Sequence, residues 1–194
     1  METMKKYSLL GFVLACIFFL SLLPEPSKAL QTQIEFASLP LVFKDYVKGF
    51  SNPGFENGSD GWVMQSNQGD DMVTAAAAHT GSYSAALGNG NGNRIASISQ
   101  QVNVPQQVYV VQYFQLVLSL ENCPGSNQLM VYVNNQPYQH YSICQVDDTQ
   151  IWEQVKIYLA PAYRGQSVEI RLEYTSEASS DSSLYIDDFS FSLP

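Results

Sequence analysis

From Gly49 to the C-terminus the chain is a succession of short runs in which apolar and polar residues alternate, punctuated by Gly, Asn, Pro and Ser. Alternation of period two is the mark of a strand with one buried face, and turns at roughly 8–12-residue spacing are the mark of a β-sandwich. The pattern is clearest at Ser167 to Tyr174, where Val168, Ile170, Leu172 and Tyr174 alternate with Glu169, Arg171 and Glu173. Arg94 to Val104 sets Ile95, Ser97 and Ser99 against Ala96, Ile98 and Gln100. Val108 to Leu120 is apolar on both faces and is predicted to be a central strand. Further strands are expected at Ser82 to Leu87, Leu129 to Val133, Pro137 to Val146, Trp152 to Leu159 and beyond the polar loop 176–183. Asn134-Asn135 has the composition of a hairpin turn. Asp71 to Ala78 is a candidate strand whose alanines would equally suit a helix. The run Gly88 to Asn93 is read as a loop, because its spacing fits neither glycine fingerprint of a phosphate site. No amphipathic helix is expected in this region, and the fold class predicted is all-β. Its two ends, Asn52 to Trp62 and Leu184 to Phe191, both mix acidic with aromatic residues. They predict first and last strands lying close together, with carboxylates available for a cation.

Composition narrows the function. Only 14% of the 194 residues are charged and 45% are hydrophobic, with 12 tyrosines; that suits an exported β protein and is too apolar for a disordered chain. The formal net charge is −9; the first 29 residues carry +1, leaving −10 on the remainder. Such a surface argues against nucleic acid, which is bound through Lys and Arg on phosphates, and against anionic membranes. It accords with neutral glycans, with divalent cations, or simply with solubility.

The N-terminus reads as an export signal. Lys5-Lys6 precedes the uncharged run Tyr7 to Leu23, and Ser27-Lys28-Ala29 offers small residues for cleavage after Ala29. Two rival readings stand beside it. An uncleaved signal anchor is one, since the run is only slightly short of the ~20 residues that cross a bilayer. A lipoprotein signal at Val13-Leu14-Ala15-Cys16 is the other. The organisation expected is a signal helix over 1–29, a connector over 30–48 and one domain over 49–194. After cleavage Cys123 and Cys144 remain, and an even pair in an exported chain is expected to form a disulfide.

The run NPGFENGSDGW, then HTGSYSAALG, QLMVYVNNQ, WEQVKIYLAPAYRGQSVEIRLEY and LYIDDFSF, resembles the galactose-binding-like jelly-roll domains, among them carbohydrate-binding modules. The resemblance implies an antiparallel β-sandwich and a structural Ca²⁺. It implies carboxylate ligands at Glu56 and Asp187, with Asp188 as the less favoured alternative, and backbone carbonyls of His79 and Ser82. A mixture of carboxylate and carbonyl oxygens suits that ion. It also implies that Trp62 and Trp152 are core residues.

For a sugar, the candidates are Tyr138, His140 and Tyr141 on one strand and Gln112 and Gln115 on the long one. Alternation places Tyr138 and His140 on one face. No catalytic residue is expected: His79 and His140 are the only histidines, and neither a nucleophile elbow nor an HExxH is present. The reading is an exported, non-catalytic carbohydrate-binding-like module whose partner is a glycan or extracellular polymer. The alternative is a structural or adhesive cell-surface protein using the same fold, touching membrane only through an uncleaved anchor.

Overall fold

A computed structural model describes residues 49–89, 92–177 and 182–193. The expected signal, the connector, Gly90 and Asn91 of the glycine-rich loop, and residues 178–181 of the polar loop lie outside the described residues. No helix among the described residues is long and apolar enough to cross a membrane.

Among the described residues ten strands form two antiparallel sheets. They are β1 (Val63–Ser66), β2 (Val73–Thr74), β3 (Ser84–Asn89), β4 (Arg94–Asn103), β5 (Val110–Ser119), β6 (Gln128–Val133), β7 (Gln136–Ser142), β8 (Glu153–Tyr158), β9 (Ser167–Ser176) and β10 (Ser182–Ser192). The first sheet has the order β1-β4-β9-β6-β7 and the second β2-β3-β10-β5-β8. This is the all-β sandwich that the alternation predicts.

The core is where the alternating sets meet. Val168, Ile170 and Leu172 of β9, Ala96 and Ile98 of β4, and Leu129, Val131 and Val133 of β6 are all buried, as are Val111 and Tyr113 of β5 and Leu184 and Ile186 of β10. A side-chain period of two leaves no freedom in what remains. If Ile170 and Leu172 face the core, Glu169, Arg171 and Glu173 face outward. β5 is flanked by β10 and β8, as expected of a central strand. Asn134 and Asn135, at φ 49° and 61°, make the two-residue turn between β6 and β7.

Two expectations are corrected. The alanine-rich run 71–78 contributes only the two residues of β2; its alanines carry too little apolar surface to hold a longer strand on the sheet. The first and last strands are not neighbours, because β1 edges the first sheet and β10 lies inside the second. What reaches β10 is the turn before β1. The Phe189 N–H donates to the Pro53 carbonyl at 3.1 Å. Trp62 lies 4.8 Å from Phe189 and 5.1 Å from Phe55, ring centre to ring centre. Buried aromatic contact thus joins the two motifs.

Cys123 and Cys144 form the disulfide, with Cα atoms 5.3 Å apart and a sequence separation of 21. Closing a loop of that length stabilises the fold by about 3 kcal/mol in the chain-entropy model. Cys123→Ser with Cys144→Ser is expected to lower the unfolding free energy by about that amount, as measured by urea denaturation.

Candidate functional sites on the two sheets

The five residues of the expected cation site come together around one loop, residues 79–83. Asp187 is fully buried. Its Oδ2 accepts the His79 N–H at 2.8 Å and the Thr80 N–H at 3.4 Å. Glu56 Oε1 accepts the N–H groups of Ser82 and Tyr83, each at 2.9 Å. Asp188 Oδ2 accepts a hydrogen bond from His79 Nδ1–H at 2.6 Å, and Oδ1 accepts one from the Thr80 hydroxyl at 2.8 Å. Consecutive carboxylates in a regular strand would point to opposite faces. Here β10 breaks register between Asp187 and Ser190, and Asp188 adopts φ 52°, so both serve the 79–83 loop.

Burial raises the Asp187 carboxyl to about 6; the His79 N–H draws it back, and the neighbouring Asp188 charge pushes it up. Three carboxylates, those of Glu56, Asp187 and Asp188, face this one loop, and carboxylate oxygen is the ligand type a hard cation takes. Two glycines leave room beside them. A Cβ on Gly54 would sit 3.1 Å from Asp188 Oδ1 and 3.4 Å from Asp187 Oδ1, and one on Gly81 would collide with the Glu56 carboxylate. Among the described residues no three Asp, Glu, His or Cys side chains form a ready metal cage. A cation here would therefore draw on backbone oxygens as well.

Beside this loop the His79 ring stacks on Phe114 at 3.7 Å, with Trp152 edge-on to it at 5.7 Å. Trp62 is a core residue as the resemblance implies, but Trp152 is not. It is only partly buried and lies outside the buried cluster.

The five sugar candidates do not form one cluster. Gln112 and Gln115 are on β5 of the second sheet, and the tyrosines and His140 are on β7 of the first. Gln112 donates to Ser190 Oγ at 3.0 Å, and Gln115 stands opposite buried Ile186. Tyr138 and His140 do not share a face. The β6–β7 register shifts between Val131 and Tyr132, which pair with Gln139 and Pro137 and leave Tyr138 as the extra residue. Its ring packs on the core and its hydroxyl donates to the Tyr158 carbonyl at 2.7 Å. Tyr141 also packs on the core, whereas His140 is exposed.

The first sheet carries a groove of about 510 Å³ on its outer face. Val63 and Gln65 of β1 form one side and Ser97, Ser99 and Gln101 of β4 the floor. Glu169 and Arg171 of β9, with Asn135 of the hairpin turn, form the other side. The register runs in files across all five strands: Val63, Ser99, Arg171, Tyr132, Pro137, and beside it Gln65, Ser97, Glu173, Met130, His140. Arg171 pairs with Glu173 and lies 3.9 Å from the centre of the Tyr132 ring. Of the sequence candidates only His140 lies on a file that reaches this groove. The groove residues themselves were legible only as wet positions of alternating strands; their convergence needs the order of the sheet.

No protein-family model matches the chain, and no curated protein matches it. Solved structures do. TmCBM61, in complex with β-1,4-galactotriose, aligns at 18% identity and a TM-score of 0.57, covering 76% of this chain and 99% of that one. The K3 cleaved adhesin domain of Lys-gingipain from Porphyromonas gingivalis aligns at 14% identity and a TM-score of 0.50, covering 74% and 96%. At these identities the likeness is one of fold: the chain has the β-sandwich of the carbohydrate-binding modules.

The raised Asp187 carboxyl sets a pH dependence. Its folded value, about 6, stands above the ordinary 3.8. Its contribution to stability is therefore fully present below 3.8 and lost as the pH rises through about 6. Metal-free protein is expected to lose on the order of 2 kcal/mol between about pH 4 and pH 7 from this group. Asp187→Asn should flatten that slope in urea denaturation.

Proposed function

We propose that this chain is an exported, non-catalytic module that holds a carbohydrate in the groove of its first sheet. The observation that carries the reading is the groove itself. Amide, hydroxyl, carboxylate and guanidinium groups converge there on the exposed face of a sheet whose other face is core. Such an array offers donors and acceptors at strand spacing, suited to a polyhydroxylated ligand. The TmCBM61 likeness, with its galactotriose, supports a glycan as the first ligand to test. The second reading is an adhesive surface domain that uses the same fold for protein contacts, and the likeness to the gingipain adhesin domain supports it.

A glycan array probed with the protein, followed by calorimetry on any ligand found, tests the first reading. Arg171→Ala is expected to weaken binding about tenfold or more, the scale of a lost hydrogen bond to a charged group. Tyr138→Ala should lower stability and leave binding nearly unchanged, because that ring is packed inward. A blank array from folded protein would move the weight to the adhesive reading.

The module is also proposed to hold a structural Ca²⁺ through Glu56 and Asp187, with Asp188 beside them and backbone oxygens of His79 and Ser82. The ion would supply positive charge to a buried carboxylate. Saturating Ca²⁺ should raise the melting temperature, and hundredfold excess over Kd corresponds to about 2.7 kcal/mol. Glu56→Ala with Asp187→Ala should abolish the response to Ca²⁺ and to EDTA. A wild-type melting curve indifferent to both would exclude the ion.

A further inference from the structure

We infer that the groove selects uncharged polysaccharide over acidic polysaccharide, and that Glu169 sets the preference. The inference rests on the glycan reading above. Three charged side chains belong to this part of the sheet, all from β9: Glu169, Arg171 and Glu173. The charge of Arg171 is already paired. Its guanidinium pairs with the Glu173 carboxylate and covers the Tyr132 ring at 3.9 Å. The Tyr132 hydroxyl donates to Glu173 Oε1 at 3.3 Å, which fixes the same carboxylate from a second side. The one cation lining the groove is thus matched, and one face of the neighbouring Tyr132 ring is occupied.

Glu169 is different. It lines the groove directly opposite Gln101 in the β4–β9 register. Among the described residues its carboxylate has no ion-pair partner. A carboxylate accepts hydrogen bonds and cannot donate them, so it receives sugar hydroxyls well. A uronate or sulfate placed there brings like charge and no proton, which costs affinity. With no aromatic ring among the residues that line the groove, recognition there falls to hydrogen bonding more than to ring stacking, and the ligand's charge and hydroxyl pattern matter accordingly.

The test uses β-1,4-galactan and the same polymer after oxidation of its C6 hydroxymethyl groups to carboxylates, in affinity electrophoresis at low and high ionic strength. Wild-type protein is expected to retain the neutral polymer and to retain the oxidised one about tenfold less at low salt, with the gap narrowing as salt screens the repulsion. Glu169→Gln should close most of that gap. Glu153→Gln removes the same unit charge from β8 of the second sheet and should leave the gap unchanged. Equal retention of both polymers by wild-type protein, or equal effects of the two substitutions, would overturn the inference while leaving the groove intact as a glycan site. Galactan retention that ignores Arg171→Ala would instead remove the groove reading, and failure to retain either polymer would remove both for this ligand.

Discussion

The period of two along β9 is the constraint on which the rest of the molecule turns. Val168, Ile170 and Leu172 are buried completely between the sheets. Slipping the strand by one residue would put Glu169, Arg171 and Glu173 into that core, at the cost of desolvating three charges. The core therefore fixes the outer face as firmly as it fixes itself. Groove side chains positioned by a packed sheet need little ordering when a ligand arrives, which favours binding by cutting its entropic cost.

The second constraint is electrostatic. The 79–83 loop is held on the outside of the second sheet by N–H groups and side chains that converge on Glu56, Asp187 and Asp188. A loop fastened by carboxylates from two distant parts of the chain links the turn before β1 to β10, although β1 and β10 lie in different sheets. One of these carboxylates, Asp187, is made reluctant to ionise by burial. A cation would relieve that conflict by compensating the charge.

The sequence made the sandwich readable because each long strand carries its own alternation; β4 and β9 need no partner to be recognised. Local signals were weaker where little surface is buried, and the alanines after Thr74 are the example. The resemblance named Glu56, His79, Ser82, Asp187 and Asp188 together, and the structure sets all five around one loop. It did not disclose that this loop meets the acids with N–H groups, or that a register break lets two consecutive aspartates serve it. The groove was less legible still. Gln65, Ser97 and the neighbouring pair Glu169 and Arg171 lie far apart in the chain, and only the order of the strands brings them together. Trp152 was misplaced because its position on the outer surface depends on His79 and Phe114, which are distant in sequence.

The extra residue at Tyr138 has a consequence beyond turning one ring inward. β7 is an outer strand of its sheet, and such a strand offers unpaired amides on which another chain could add. Its register shift interrupts that row, and Pro137, beside it, has no N–H to give. At the opposite margin β1 is only four residues long. The first sheet is therefore a poor template for strand addition, and what it presents to other molecules is its face.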